Sequence, residues 1–236
     1  MSSWDVLRRP RWLLGGLIAL MAVLSFIRLG VWQLDRLDRR RMSNEVHTAA
    51  LAAPPLRLAM RSDMTGVGEY RAVTAAGTFH PGDTVMWVGR SFRGGPGTEI
   101  LTPLTLDDGS LLVVDRGWIP LDAPVVAPPR GRVVVDGWIR AGATSGRVGA
   151  PDPDAGFLTT IRPDLDALGE ALGVDLGDRF VVASALAPAD TADIRLVDPP
   201  DFGEGNHLSY AIQWFLFAVV VAVGFPALVR HNTRNG

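Results

Sequence analysis

The chain has 236 residues, 47% of them hydrophobic, and a formal net charge of -2 at pH 7. No single-sign block suits a polynucleotide, so no nucleic acid partner is expected. Cysteine is absent and all 23 basic side chains are arginine, which excludes disulfides, thiolate nucleophiles, cysteine-bound metals, phosphate-loop lysines and Schiff-base chemistry.

The apolar excess sits at the two ends. Trp12 to Ile27 is an uncharged run, and Leu29 to Leu34 carries it past Arg28 to a spanning length. Arg8, Arg9 and Arg11 raise a secretory signal peptide as the competing reading, and the Arg8-Arg9 pair weakly suggests twin-arginine export. No small-residue cleavage site follows the core, so residues 12–34 read as an uncleaved signal anchor. Arg28 can snorkel toward the outer headgroups. From Gln33 to about Ala50 the pattern lacks Pro and Gly, so the helix is predicted to continue for several turns until Pro54-Pro55 ends it. Asp35, Asp38 and the arginines between Arg36 and Arg41 read as a solvated face or headgroup contacts, with a partner subunit as the alternative.

Between Tyr70 and Val197 the pattern predicts strands at Arg71–Phe79, Thr84–Val88, Glu99–Leu106, Leu111–Val114, Val133–Ile139, Phe157–Ile161, Phe180–Ala183 and Ile194–Val197. Asp108-Gly109 is the best hairpin signal, expected as a tight two-residue turn. Pro163 to Leu172, with Leu165, Leu168 and Leu172 recurring and Pro at the first position, is the one convincing helix. The expected fold is an α+β membrane protein: two transmembrane helices flanking a mostly antiparallel β extracytoplasmic domain, a barrel closed or half closed by that one helix. Pro124–Gly131 and Arg147–Gly156 read as loops.

Catalytic machinery is scarce. Gly89-Arg-Ser91 lacks the second glycine of a nucleophile elbow, and Ser91 reads as a strand-end serine. Asp152-Pro-Asp154 opens like a calcium loop but has Pro163 where a bidentate Glu belongs. His47, His80, His207 and His231 never occur at metal-pair spacing, and His80 reads as a turn residue. No enzyme is expected.

Ser209 to Val229 is a second uncharged run, about 31 Å of helix at 1.5 Å per residue, enough to cross a bilayer core of about 30 Å. At its entry His207, Tyr210, Ala211 and Trp214 recur at i, i+3, i+4 and i+7, which places them on one face. An interfacial aromatic belt competes with a ligand or partner face, while Gln213 adds an amide at similar depth. Asp201 and Glu204 before this run and Arg230 and Arg234 after it put its carboxyl end in the cytoplasm. The resulting organisation is a cytoplasmic N-terminus at 1–11, a first span at 12–34, an extracytoplasmic β-rich domain at 35–205, a second span at 208–229 and a cytoplasmic C-terminus at 230–236, in the cell membrane. So little chain inside argues against a signalling receptor.

Several short pieces run in a fixed order: Gly30-x-Trp32-Gln33, Tyr70-Arg71 leading to Gly77-x-Phe79, Arg90 before a glycine loop, and Thr102-Pro103-Leu104. They continue with Asp115-Arg116-Gly117-Trp118-x-Pro120, Gly137-x-x-Arg140 and Asn206-His207-Leu208-x-Tyr210-Ala211-x-x-Trp214-Phe215. In this order between two terminal spans, the chain resembles the Surfeit locus protein 1 family of cytochrome c oxidase assembly factors. Asp115 stands where the family commonly has Asn, Phe157 where it usually has Trp, and Gln213 where a small residue is frequent. The resemblance implies assembly of a haem-copper oxidase, with help in inserting haem a into the largest subunit or stabilising it. The implied partners are that subunit, the haem a biosynthesis enzymes and membrane lipid. A haem carrier needs an apolar slot, an imidazole and a cation for propionates. His207 is the expected iron ligand, Trp214, Tyr210 and Trp32 the expected apolar contacts, and Arg28 the expected propionate partner, with a hydrogen-bonded interface histidine as the other reading of His207. A stably bound accessory subunit of a respiratory complex is the alternative function.

Overall fold

The computed structural model describes residues 10–146, 148–149, 157–190 and 194–234. They form two compact units, one made of the chain ends up to Glu45 and from Phe202 onward, the other of Val46–Asp201.

Two long helices account for the apolar ends. Helix α1, Pro10–Ala52, has 43 residues. The helix expected past residue 34 therefore runs on uninterrupted to the Pro54-Pro55 break. Near the carboxyl end lies His207–Arg234 with 28 residues, called α3 below. Both are long and apolar enough to cross a membrane by length and composition. Leu17, Leu24, Val220 and Val223 are each more than half exposed, so much of the apolar surface of these helices is unburied by protein.

The second unit is a nine-stranded sheet built from β1 (Leu56–Leu58), β2 (Ala72–Phe79), β3 (Val85–Phe92), β4 (Gly95–Thr105), β5 (Leu111–Pro120), β6 (Arg132–Ala141), β7 (Val148–Gly149), β8 (Leu158–Thr160) and β9 (Arg179–Ala187). The spatial order is β1-β2-β6-β9-β5-β4-β3-β8-β7, and a further β2–β4 pairing makes β2, β6, β9, β5 and β4 a closed ring. That closure is short, Thr78 with Thr105 and Phe79 with Leu104. Gly77 permits it, because a Cβ there would stand 2.1 Å from the Thr105 carbonyl oxygen. The barrel is closed by strand pairing rather than by a helix.

The sheet is mixed, not mostly antiparallel as the strand pattern suggested. β1–β2, β3–β8 and β5–β9 pair parallel. Alternating apolar positions mark a strand without naming its neighbour, and β9 returns to β5 through the crossover that holds the short helix α2, Leu165–Leu172. Other expectations shift in smaller ways. Asp164, not Pro163, opens α2: its Oδ1 accepts the Ala167 N–H at 3.1 Å. The expected strand Ile194–Val197 reduces to a single bridge between Arg195 and Trp118. The Asp108-Gly109 hairpin has a three-residue loop, Asp107–Gly109, in which Gly109 has φ +84 and donates to the Leu106 carbonyl. The calcium-like stretch from Asp152 lies outside the described residues. His80 does sit at a turn, before the 3-10 turn Pro81–Asp83.

Burial divides the sheet between two cores. Leu112 and Val114 of β5 and Val181 and Ala183 of β9 point into the ring with Val73, Leu104, Val133 and Val135. Their neighbours Val113, Phe180 and Val182 point outward and pack with Trp87, Trp138 and the α2 residues Leu165 and Leu168. Both sides of these strands are thus covered by protein, which is why they read as nearly continuous apolar runs.

Candidate functional site

The two long helices meet along a seam of small residues and rings. Gly30 of α1 lies under Phe215 of α3 so closely that a Cβ would meet the ring at 2.6 Å. Small residues at such crossings let helix backbones approach. Beside it Phe26 stacks on Trp214 with centroids 5.7 Å apart, and Phe217 contacts both rings at 5.8 Å. Trp12 meets Phe225 edge-on at 6.2 Å. Leu37, Ala211 and Ala218 are buried.

At one end of the seam is His207. Its Nδ1 lies 2.9 Å from Gln33 Oε1. A side-chain amide oxygen only accepts, so Nδ1 carries the proton and the neutral ring keeps its lone pair on Nε2. Next to it α1 grips the segment that leads into α3. Arg41 makes a two-pronged ion pair with Glu204, Nε–Oε1 2.8 Å and Nη2–Oε2 2.9 Å. Asn44 donates to the Phe202 carbonyl at 2.6 Å, and Arg40 to the Gly203 carbonyl at 3.3 Å. The hydrogen bond from Arg41 holds the exposed Glu204 carboxyl below the usual carboxylate range.

Of the residues singled out from sequence, the seam contains His207 and Trp214. Tyr210, Trp32 and Arg28 are exposed on the same two helices, Tyr210 one helical turn from His207. Gln33 and Phe26 are seam residues to which the sequence assigned no role. Gln33 carried one signal, a lone amide three residues after Gly30 at the end of an apolar run.

The barrel unit holds a second concentration of polar groups. Arg90 Nε lies 2.9 Å from Glu99 Oε1, and its guanidinium stands 4.2 Å from the Trp87 ring centre. Glu99 and Asp115 are both buried. Burial, and then the neighbouring Glu99, push the Asp115 carboxyl well above the usual carboxylate range. Its Oδ1 accepts the Gly117 N–H at 3.0 Å. Register slips between Glu99 and Leu101 at this point, and Gly117 has φ +123 at the resulting bulge. Arg116 is completely buried; its Nε and Nη2 donate to Asp190 Oδ2 at 2.9 and 2.6 Å and its Nη1 to the Val126 carbonyl at 3.1 Å. Burial lowers the Arg116 pKa, and Asp190 opposes that shift. Both clusters are internally paired, which marks them as framework more than as a reaction centre. Among the described residues no group of three or more His, Cys, Asp or Glu could hold a metal ion.

The SURF1 family model matches residues 20–219. An uncharacterized SURF1-like protein of Mycobacterium tuberculosis is 26% identical over 230 residues, covering 92% of this chain and 83% of that protein. A SURF1-like protein of Rickettsia felis is 24% identical over 227 residues, covering 92% of this chain and 96% of that protein. One from Rickettsia bellii is 23% identical over 233 residues, covering 93% and 92%.

Proposed function

The chain belongs to the SURF1 family, and from that premise we propose that it is an assembly factor for a haem-copper cytochrome c oxidase. In this reading it acts in the cell membrane through spans at 12–34 and 208–229, with both termini in the cytoplasm and 35–205 outside. It receives haem a as cargo from the enzymes that make it, assists its insertion into the largest oxidase subunit or stabilises that subunit, and performs no turnover chemistry of its own.

The observation that carries the mechanism is the His207–Gln33 hydrogen bond at 2.9 Å. Iron takes a neutral imidazole through one nitrogen, while an acceptor on the other fixes tautomer and orientation. Gln33 Oε1 is such an acceptor and leaves Nε2 as the donor atom, so His207, oriented by Gln33, would hold the iron of the cargo through that nitrogen. When bound, haem supplies an iron that accepts this lone pair. The protein's part is to orient. Gln33 holds the ring, and the Arg41–Glu204 pair with Asn44 fixes the segment from which His207 projects. The Phe26, Trp214 and Phe217 rings pack against one another in the seam and hold the two helices together beside that imidazole. Tyr210, one helical turn from His207, is exposed there.

The test uses protein purified from cells that make haem a. His207→Ala should lose haem and the Soret band while accumulating in the membrane, and His80→Ala should keep both. Normal haem content and full oxidase assembly with His207→Ala would make His207 an interface residue. Persistence of the protein on purified mature oxidase would favour a permanent accessory subunit.

A further inference from the structure

We infer that α1 carries an anionic-phospholipid binding stripe formed by Arg28, Trp32, Arg36 and Arg39 on the side of the helix away from the seam. This rests on the proposed membrane insertion and adds a ligand class and a site to it.

These residues follow one another at spacings of four, four and three, which keeps them in one row along an α-helix. The residues that touch α3, Phe26, Gly30 and Gln33, form a different row at similar spacing, which buried Leu37 continues. All four stripe residues are exposed. Further toward the N-terminus the same row continues through Leu14, Leu17, Met21 and Leu24, each more than half exposed. One face therefore passes from aliphatic side chains, through a tryptophan, to arginines. An apolar band below a ring and cations above it is the sequence of environments a lipid presents: tails, interface, phosphate. A protein partner would have no reason to follow that order.

The arginines of α1 divide by face. Arg41 is spent on Glu204 and Arg40 on the Gly203 carbonyl. Arg39 donates Nε to the carbonyl of Asp35 at 3.2 Å, leaving its other guanidinium donors available. Arg28 and Arg36 have no hydrogen-bond or ion-pair partner among the described residues. Asp35 flanks the row, so the stripe keeps an excess of positive charge.

Direction matters as well. Helical side chains lean toward the amino end, so Arg36 and Arg39 lean back toward the level of Trp32. Arg28, one turn on the other side, has a stem long enough to extend against that lean toward the interface. Guanidinium forks bind phosphate oxygens in pairs and are less strongly hydrated than ammonium groups. Three of them along one exposed row suit a phosphodiester that carries a net negative charge and discriminate against zwitterionic headgroups, whose own cation repels them.

The experiment reconstitutes full-length protein in phosphatidylcholine vesicles and measures, with spin-labelled lipids, the association of phosphatidylglycerol relative to phosphatidylcholine at the protein boundary. Each arginine near an anionic surface is worth about a fivefold preference. Wild type should show a severalfold selectivity. The variant Arg28→Gln/Arg36→Gln/Arg39→Gln should bring it close to one, and Arg57→Gln/Arg93→Gln/Arg130→Gln, an equal charge loss on the barrel unit, should leave it unchanged. Equal selectivity in wild type and the stripe variant, or none in wild type, overturns the inference. Should the triple variant fail to reconstitute, the single Arg36→Gln variant and wild type in 0.5 M salt decide: selectivity unaltered by both overturns it. Failure of wild type to float with pure phosphatidylcholine vesicles would instead refute the membrane reading beneath it.

Discussion

Asp115→Asn is expected to stabilise the protein, and by an amount that grows with pH. Asp115 is buried beside Glu99, and its pKa in the fold stands well above the usual range because burial and Glu99 both disfavour its charge. An unfolded aspartate titrates near 3.9. Between that value and the raised folded pKa the unfolded chain has lost the proton that the folded chain keeps. Folding then takes up a proton, and stability falls as pH rises, by about 1.4 kcal/mol per pH unit. Asparagine does not titrate. Its side-chain oxygen can accept the Gly117 N–H that Asp115 Oδ1 accepts at 3.0 Å, and its amide can donate to Glu99 as the protonated acid does. Both hydrogen bonds survive and the slope disappears. With about 2–4 °C of melting temperature per kcal/mol for a unit of this size, the Asn variant should gain about 3–5 °C on wild type per pH unit across that window. Thermal melts of detergent-solubilised protein from pH 5 to 8 give the difference directly. Asp115→Ala removes both bonds, leaves buried groups unpaired, and should cost roughly 2–5 kcal/mol. Parallel wild-type and Asn curves, or an Asn variant that loses ground to wild type as pH rises, would refute the reasoning.

Replacing Arg116 with Met strands the Asp190 carboxylate, which is only 7% exposed. Breaking a buried pair costs about 3–5 kcal/mol, so melting should drop by on the order of 10 °C and recover in part when Asp190→Leu is added. Because the chain has no cysteine, Gln33→Cys with His207→Cys supplies the only two thiols. A flexible bismaleimide that spans more than a disulfide should join them within one molecule, and a failure to do so would count against the α1–α3 seam. Alkaline phosphatase fused after Gly236 should be inactive; strong activity would reverse the proposed orientation.

Local signals were readable where the physics is local. Two uncharged runs announced α1 and α3, Leu165, Leu168 and Leu172 announced α2, and Asp108-Gly109 announced the β4–β5 hairpin. Partnership was not readable. Gln33 and His207 are 174 positions apart, and nothing in either stretch names the other. Leu56–Leu58 escaped notice because three residues are too few for a period. The apolar run that predicts β5 ends at Val114, whereas the strand continues to Pro120; in the fold Asp115 and Arg116 are buried at a bulge and matched by Glu99 and Asp190. One sign could have been caught: Glu99 opens a run of apolar positions, and a buried acid there requires a cation such as Arg90.

The place of β9 in the ring sets an order of events during synthesis. β3, β4 and β5 form a meander from neighbouring stretches of chain, and β2 pairs with β6 from either side of it in sequence, yet these two pieces hydrogen-bond to each other directly only at the two residue pairs between β2 and β4. What joins them broadly is β9, wedged between β6 and β5. It is the last strand to leave the ribosome, with α3 beginning about twenty residues behind it. Until it arrives, facing edges of β5 and β6 remain unpaired, open to the wrong strand or to another nascent chain. Completing the barrel and delivering the second long helix are therefore nearly simultaneous. A chain truncated before Arg179 would be left with two half-sheets joined only through the short β2–β4 pairing, a substrate for quality-control proteases rather than a smaller working domain.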